Sequence, residues 1–231
     1  MPQMKSFTFN PYAEKCYLLD SGDGKCIRVD PGFSNASEKD ALFSEISRCG
    51  LVPEAVLLTH AHFDHIYGVG ECVRRYGVPV YMGENEHAVK EWAPEFARRA
   101  GMPEPDIEWD TVDVRDGERI VAGGMTFEVI ATPGHSEGGV CWYDAEDRLL
   151  FSGDTLFAGT IGRSDLPYGD YDRLIVSVMD KLMGLDGNVE VYPGHGPETT
   201  IAYERTHNPF LQPFNEKDEE TGAVDGIEFN E

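Results

Sequence analysis

Basic side chains are scarce in this 231-residue chain: 19 Lys and Arg stand against 42 Asp and Glu, a formal net charge of −23. Phosphate polyanions are held by Lys and Arg in numbers, so nucleic acid is a poor expectation as a partner. No window approaches about 18 uninterrupted apolar residues, which argues against a helical membrane span. The opening residues carry neither a basic n-region nor an apolar h-region, so no export signal is expected. Cysteines number only five (Cys16, Cys26, Cys49, Cys72, Cys141), with no Cys-x-x-Cys spacing. That argues against a disulfide framework and points to a reduced, cytoplasmic chain whose cysteines serve as small buried hydrophobes. Internal repeats and low-complexity runs are also lacking, which argues against solenoids and fibrous folds.

What is present suits one folded domain. Apolar residues make up 41% of the chain, aromatics 11% and charged residues 26%, enough to bury a core. The domain is expected over residues 1–213, followed by a solvated tail over 214–231 in which seven acids accompany one lysine. An interaction segment is the alternative use of that tail. Patterning predicts strands at 16–20 and 25–29 around the turn Ser21-Gly22-Asp23-Gly24, a helix over 37–49, a buried strand at 55–58, a helix over 66–76, a strand at 78–82 and a helix over 85–100. Residues 101–116, rich in Pro and acids, read as a loop. Strands at 119–121, 126–131, 139–143 and 148–152 read as an antiparallel meander, then a helix over 170–185, a strand at 189–192 and a helix over 198–206. Two mixed halves of this kind predict an α/β fold, two sheets packed together under outer helices.

The sharpest pattern is Thr59-His60-Ala61-His62-Phe63-Asp64-His65, where the buried strand ends and the next helix begins. Imidazoles packed so closely repel one another when protonated and are costly to bury unpaired. A divalent cation resolves both difficulties. Alternate residues of an extended loop point the same way, so His60 and His62 can grip one ion while Asp64 and His65 turn toward another. Further candidate ligands stand at strand ends in Gly-containing turns: His135 in Pro133-Gly134-His135, Asp154 in Ser152-Gly153-Asp154, and His195 in Pro193-Gly194-His195. His87 and His207 have no companion ligand and read as surface or packing residues.

In this order the ligand-type residues resemble the metallo-β-lactamase superfamily, over about residues 5–212. Within it, Gly153-Asp154-Thr155-Leu156-Phe157 through Gly162-Arg163-Ser164-Asp165, then Tyr192-Pro193-Gly194-His195-Gly196-Pro197 and His207-Asn208-Pro209-Phe210, resemble the short glyoxalase II-like hydrolases, relatives of hydroxyacylglutathione hydrolase. The resemblance implies an αβ/βα sandwich of two mixed sheets flanked by helices, with the site at the edge where the sheets meet. It implies that His60, His62 and His135 bind a first metal, that Asp64, His65 and His195 bind a second, and that Asp154 bridges them. Zinc is the first choice of ion, with iron or manganese as alternatives. Asp30, in Val29-Asp30-Pro31-Gly32, falls at the family's position for an acceptor that orients a ligand histidine; by position alone it is as readily a turn former.

The resemblance implies that this centre hydrolyses a small acyl thioester such as S-lactoylglutathione. Two ions, offset by Asp64 and Asp154, would ionise a bridging water near neutral pH, and the hydroxide would attack the thioester carbonyl. Arg163 is the candidate to meet a substrate carboxylate, with a loop ion pair to Asp165 or Asp170 as its other use. Two alternatives remain. The cluster also resembles that of the persulfide dioxygenases, which implies a single iron on His60, His135 and Asp154; the other is a non-catalytic metal-binding module.

Overall fold

The computed structural model describes residues 2–212, so the acidic tail assigned to 214–231 lies outside the described residues. Two six-stranded sheets stack face to face. The first runs, in spatial order, β1 (Gln3–Phe9), β2 (Glu14–Asp20), β3 (Lys25–Val29), β4 (Val52–Leu57), β5 (Val80–Gly83) and β6 (Val112–Val114). Its first three strands are antiparallel and the rest pair in parallel. Parallel pairing requires crossovers, which α1 (Ala36–Arg48), the consecutive α2 (Phe63–Ile66) and α3 (Val69–Tyr76), and α4 (His87–Arg99) supply. The second sheet comprises β7 (Arg119–Ala122), β8 (Met125–Ala131), β9 (Val140–Asp144), β10 (Leu149–Gly153), β13 (Glu190–Pro193) and β14 (Thr199–Thr200). Only its β10–β13 pair is parallel. A ribbon of β11 (Leu156–Phe157) and β12 (Thr160–Ile161) stands apart, and α5 (Tyr171–Ser177) and α6 (Ile201–His207) pack on the second sheet.

The strand periodicity of two explains the layers. In β2, Cys16 and Leu18 enter the core under the outer helices, while Tyr17 and Leu19 enter the core between the sheets. Around β4, Val56 and Leu58 likewise face the helices, and Ala55 and Leu57 the other sheet. In β9, Cys141 packs toward α5 and α6 while Trp142 fills the centre. Strands buried on both faces read as unbroken apolar runs. Trp142 is fully buried, and its Nε1 donates to Leu58 O at 3.0 Å, tying the central core to the start of the histidine loop. The architecture is the expected sandwich of helices, sheet, sheet and helices.

Several elements depart from expectation for local reasons. β1 is an additional edge strand, mostly half-solvated, whose Lys5 and Ser6 obscure its alternation. β6 crosses the stretch expected as a loop and is three residues long. The helix expected over 66–76 breaks at Gly68, where a Cβ would lie 2.3 Å from the Phe33 ring. The helix expected to reach residue 185 stops its α pattern at Ser177 and continues as a π turn over Val178–Leu182. Thr199 and Thr200 form a strand where a helix start was expected, and the Thr200 hydroxyl then accepts from Tyr203 N to cap α6. Four cysteines are buried as expected. Cys49 is exposed, because it sits at the solvent end of α1 between Arg48 and Gly50.

Among the described residues no helix is long and apolar enough to cross a membrane.

Candidate metal centre

Strand ends bring the candidate ligands together. His60 and His62 follow β4, Asp64 and His65 lie in α2, His135 follows β8, Asp154 follows β10 and His195 follows β13. All seven converge. His60, His62 and His135 offer ligand atoms within 4.8 Å of one another, and so do Asp64, His65 and His195. Asp154 faces both groups: its Oδ2 lies 3.5 Å from His135 Nε2 and 3.6 Å from His195 Nε2, and its Oδ1 lies 3.5 Å from His65 Nε2. Asp64 Oδ2 is 3.4 Å from His195 Nε2.

The outward nitrogens decide which way the inward ones point. His65 Nδ1 meets Asp30 Oδ2 at 3.0 Å, His135 Nδ1 meets the Arg163 carbonyl at 2.7 Å, and His195 Nδ1 meets the Tyr12 carbonyl at 3.0 Å. These oxygens only accept, so each Nδ1 carries a proton, and each ring in its neutral form aims the lone pair of its other nitrogen inward. The Thr59 hydroxyl donates to Asp30 at 2.5 Å, leaving its oxygen to accept from His60 Nδ1 at 3.0 Å. The inward nitrogens crowd: His62 Nδ1 and His135 Nε2 are 2.9 Å apart, and His65 Nε2 and His195 Nε2 are 3.3 Å apart. Buried His60 Nε2 and Asp154 Oδ1 have no hydrogen-bond partner. Opposed lone pairs flanked by carboxylates are what a divalent cation satisfies, and a nitrogen and oxygen set suits zinc, iron or manganese.

Electrostatics agree with that use. Burial pushes His60 and His62 well below the ordinary imidazole range, helped by neighbouring rings, so both stand in the neutral ligand form. Burial also acts downward on His65, but Asp154, Asp64 and Asp30 outweigh it and raise that ring to about 9. Burial would raise Asp64, yet His65 and His195 hold its carboxyl below the usual range. A cation entering the Asp64–His65–His195 group would displace the proton that these carboxylates hold.

Glycine is required at position 194, where a Cβ would lie 2.3 Å from Asp154 Oδ1 and 2.6 Å from His65 Cε1. Asp30 is both of the things its position allowed. It adopts φ 47° in a turn, and it accepts from Thr59 N, the Thr59 hydroxyl and His65. Arg163 forms its bidentate pair with Asp165, at 2.8 Å for each bond, on the surface. His87 pairs with Asp113 at the surface, and the His207 ring stacks on Tyr203. Glu86 was not foreseen. Fully buried, it accepts from Ala61 N at 2.9 Å, Ser136 Oγ at 3.0 Å and Gly138 N at 2.7 Å, and so joins the His60–His62 loop to the His135 loop. A separate surface groove of about 850 Å³, between α1 and α3, contains none of the ligands.

The metallo-β-lactamase superfamily model matches residues 10–195. Hydroxyacylglutathione hydrolase GloC of Haemophilus influenzae is 34% identical over 205 residues, covering 87% of this chain and 93% of that protein. The solved structure of BLEG-1, a B3 metallo-β-lactamase, is 37% identical with a TM-score of 0.83, over 91% of this chain and 100% of that one. TTHA1623, solved in a di-iron-bound form, is 38% identical with a TM-score of 0.81, over 90% and 100%. The matched span runs from the first sheet to the last candidate ligand, His195, and so takes in the whole His/Asp cluster: the chain belongs to the metallo-β-lactamase superfamily of metallo-hydrolases.

Proposed function

We propose that the chain is a glyoxalase II-like thioesterase acting on S-lactoylglutathione or a similar small acyl thioester with two divalent ions. The observation that carries the reading is the Asp154 carboxylate, set within 3.6 Å of ligand nitrogens from both groups. His60, His62 and His135 would hold one ion, Asp64, His65 and His195 the other, and Asp154 both. Zinc is the first choice, and the di-iron form of TTHA1623 keeps iron in view. Similarity to GloC supports the hydroxyacyl thioester class. When bound, such ions ionise water near neutral pH and polarise a carbonyl.

The chain's own residues set the remaining terms. Asp64 and Asp154 would offset part of the dication charge, and Asp30, with the Tyr12 and Arg163 carbonyls, holds an Nδ1 proton on each ring, so that the inward nitrogens are the ones that would turn to a cation. Nearby side-chain nucleophiles are already engaged. Burial pushes the Cys141 thiol up to about 11, Ser136 Oγ donates to Glu86, and Ser152 Oγ donates to Leu156 O at 2.8 Å. Water is therefore the attacking group. A departing thiolate is stable enough to need no dedicated acid.

Elemental analysis of protein purified without added metal, run beside S-lactoylglutathione hydrolysis, tests this. Near two ions per chain with turnover, both lost in His62→Ala, is expected. About one iron per chain, with oxygen uptake on glutathione persulfide and no hydrolysis, would favour the dioxygenase. β-Lactam hydrolysis without thioester hydrolysis would align the chain with BLEG-1 instead. Absence of tightly bound metal would overturn the reading.

A further inference from the structure

An aromatic strip leads away from the His60–His62–His135 group. The His62 ring meets Phe96 edge-on at 5.5 Å, Phe96 stacks on Trp92 at 4.5 Å, and Trp92 meets Tyr168 edge-on at 6.2 Å. Trp92 and Phe96 share one side of α4 because they are four residues apart. Phe96 packs partly on the outer core, whereas Trp92 and Tyr168 belong to none of the three cores, and Tyr168 is 42% exposed. A run of half-buried rings ending in an exposed tyrosine beside a polar centre is an expected place for a ligand.

The strip is tied to the ligands at both ends. Tyr168 arrives on the loop 163–170, which hangs from the His135 turn: the Arg163 carbonyl accepts from His135 Nδ1, and Asp170 N donates to the Gly134 carbonyl at 2.7 Å. The loop holds Tyr168 at φ 69°, a conformation costing a non-glycine residue about 1–2 kcal/mol. Strain of that kind persists where the surroundings over-determine it, commonly at ligand sites. Charge points the same way. Arg163, the only cation on that loop, already donates two hydrogen bonds to Asp165, so the wall presents rings rather than an anchor for carboxylates.

We infer that Trp92 and Tyr168 form a docking wall for an aryl or similarly flat apolar group that the substrate carries near its reacting carbonyl. The inference rests on the thioesterase reading and narrows it to a thioester other than S-lactoylglutathione, which carries no such group. Ring contacts with Trp92 and Tyr168 together favour an aryl over a methyl group by about tenfold.

Calorimetric titration of the metal-loaded protein with S-benzyl-N-acetylcysteamine and S-methyl-N-acetylcysteamine tests the wall without turnover. The benzyl thioether should bind about tenfold tighter, and Trp92→Ala or Tyr168→Ala should shrink the margin to about threefold or less with metal content intact. Tyr168→Phe, which keeps the ring, should retain it. Equal affinities in the unmodified protein, or a margin that survives both alanine substitutions, overturn the inference. Hydrolysis of phenylacetyl-N-acetylcysteamine and S-benzyl thioacetate, each against acetyl-N-acetylcysteamine, tells whether the ring belongs to the acyl or the thiol side. Discrimination in binding without hydrolysis of any thioester leaves the wall and sinks the thioesterase. Hydrolysis without discrimination does the reverse.

Discussion

The Asp30 carboxylate accepts a hydrogen bond from His65 Nδ1 at 3.0 Å, and the same oxygen accepts one from the Thr59 hydroxyl at 2.5 Å. Because the Thr59 oxygen is then left to accept from His60 Nδ1, one buried carboxylate fixes a ligand in each group. Asp30 does so from a left-handed backbone position immediately before Pro31, a conformation that non-glycine residues rarely adopt. Its placement is therefore paid for by the hydrogen bonds it collects.

Asp30→Asn should break this arrangement without enlarging or emptying the site. Its amide must face at least one of three donors, and if it faces His65 the imidazole has to move its proton to the inward nitrogen. Metal affinity should fall about 10- to 100-fold, read by competition with a chromophoric chelator while circular dichroism confirms the fold. Affinity within about twofold of the parent would show that Asp30 is only a turn residue.

At Gly194 the argument is steric. Its N–H donates to Gly153 O and its carbonyl accepts from Lys15 N, both at 2.8 Å, so the backbone is pinned where an added Cβ meets Asp154 and His65. Gly194→Ala should displace one of those two ligands and cost about 1–3 kcal/mol in urea unfolding. Metal per chain should drop, with the Asp64–His65–His195 group affected first. Full metal content in this variant would mean that the turn yields more easily than its two hydrogen bonds suggest.

The convergence of the candidate ligands was legible because a metal site needs several donors on short loops, and His60, His62, Asp64 and His65 display that spacing directly. β2, β4, β9 and β10 were legible because burial of both faces leaves unbroken apolar runs. Edge strands β1 and β6, half-solvated, carry no such signature. The support of the ligands was hidden for a different reason. Tyr12 and Arg163 act through backbone carbonyls, which every residue possesses, and Glu86 lies 25 residues from Ala61 and 52 from Gly138. In sequence Glu86 is one acid among Glu84-Asn85-Glu86, and only the tertiary fold buries it. Trp92 and Phe96 show helical spacing that fits a core as well as a site.

Glu86 also bears on how stability depends on pH. Burial raises its carboxyl to about 7 from an ordinary 4.5, although the Ala61 and Gly138 amides and the Ser136 hydroxyl, all donating to it, act in the opposite sense. Below pH 4.5 the folded and unfolded chains both hold this proton. Between 4.5 and 7 the folded chain keeps it while the unfolded chain has lost it, so the folded state binds more protons and this group's contribution to stability falls as pH rises. The full decline is about 3 kcal/mol, complete once pH passes the folded value. Glu86→Gln cannot titrate, so its stability should change less between pH 5 and pH 8 than that of the parent, measured by urea unfolding in excess chelator to remove any contribution from metal release. At pH 5 the variant should be the weaker of the two by about 1–3 kcal/mol, because the amide nitrogen, unlike the hydroxyl oxygen of a protonated carboxyl, accepts from none of the three donors. Parallel pH profiles would mean that the three donors hold Glu86 ionised throughout, and it would then be a fixed clamp between the His60–His62 and His135 loops rather than a titrating one.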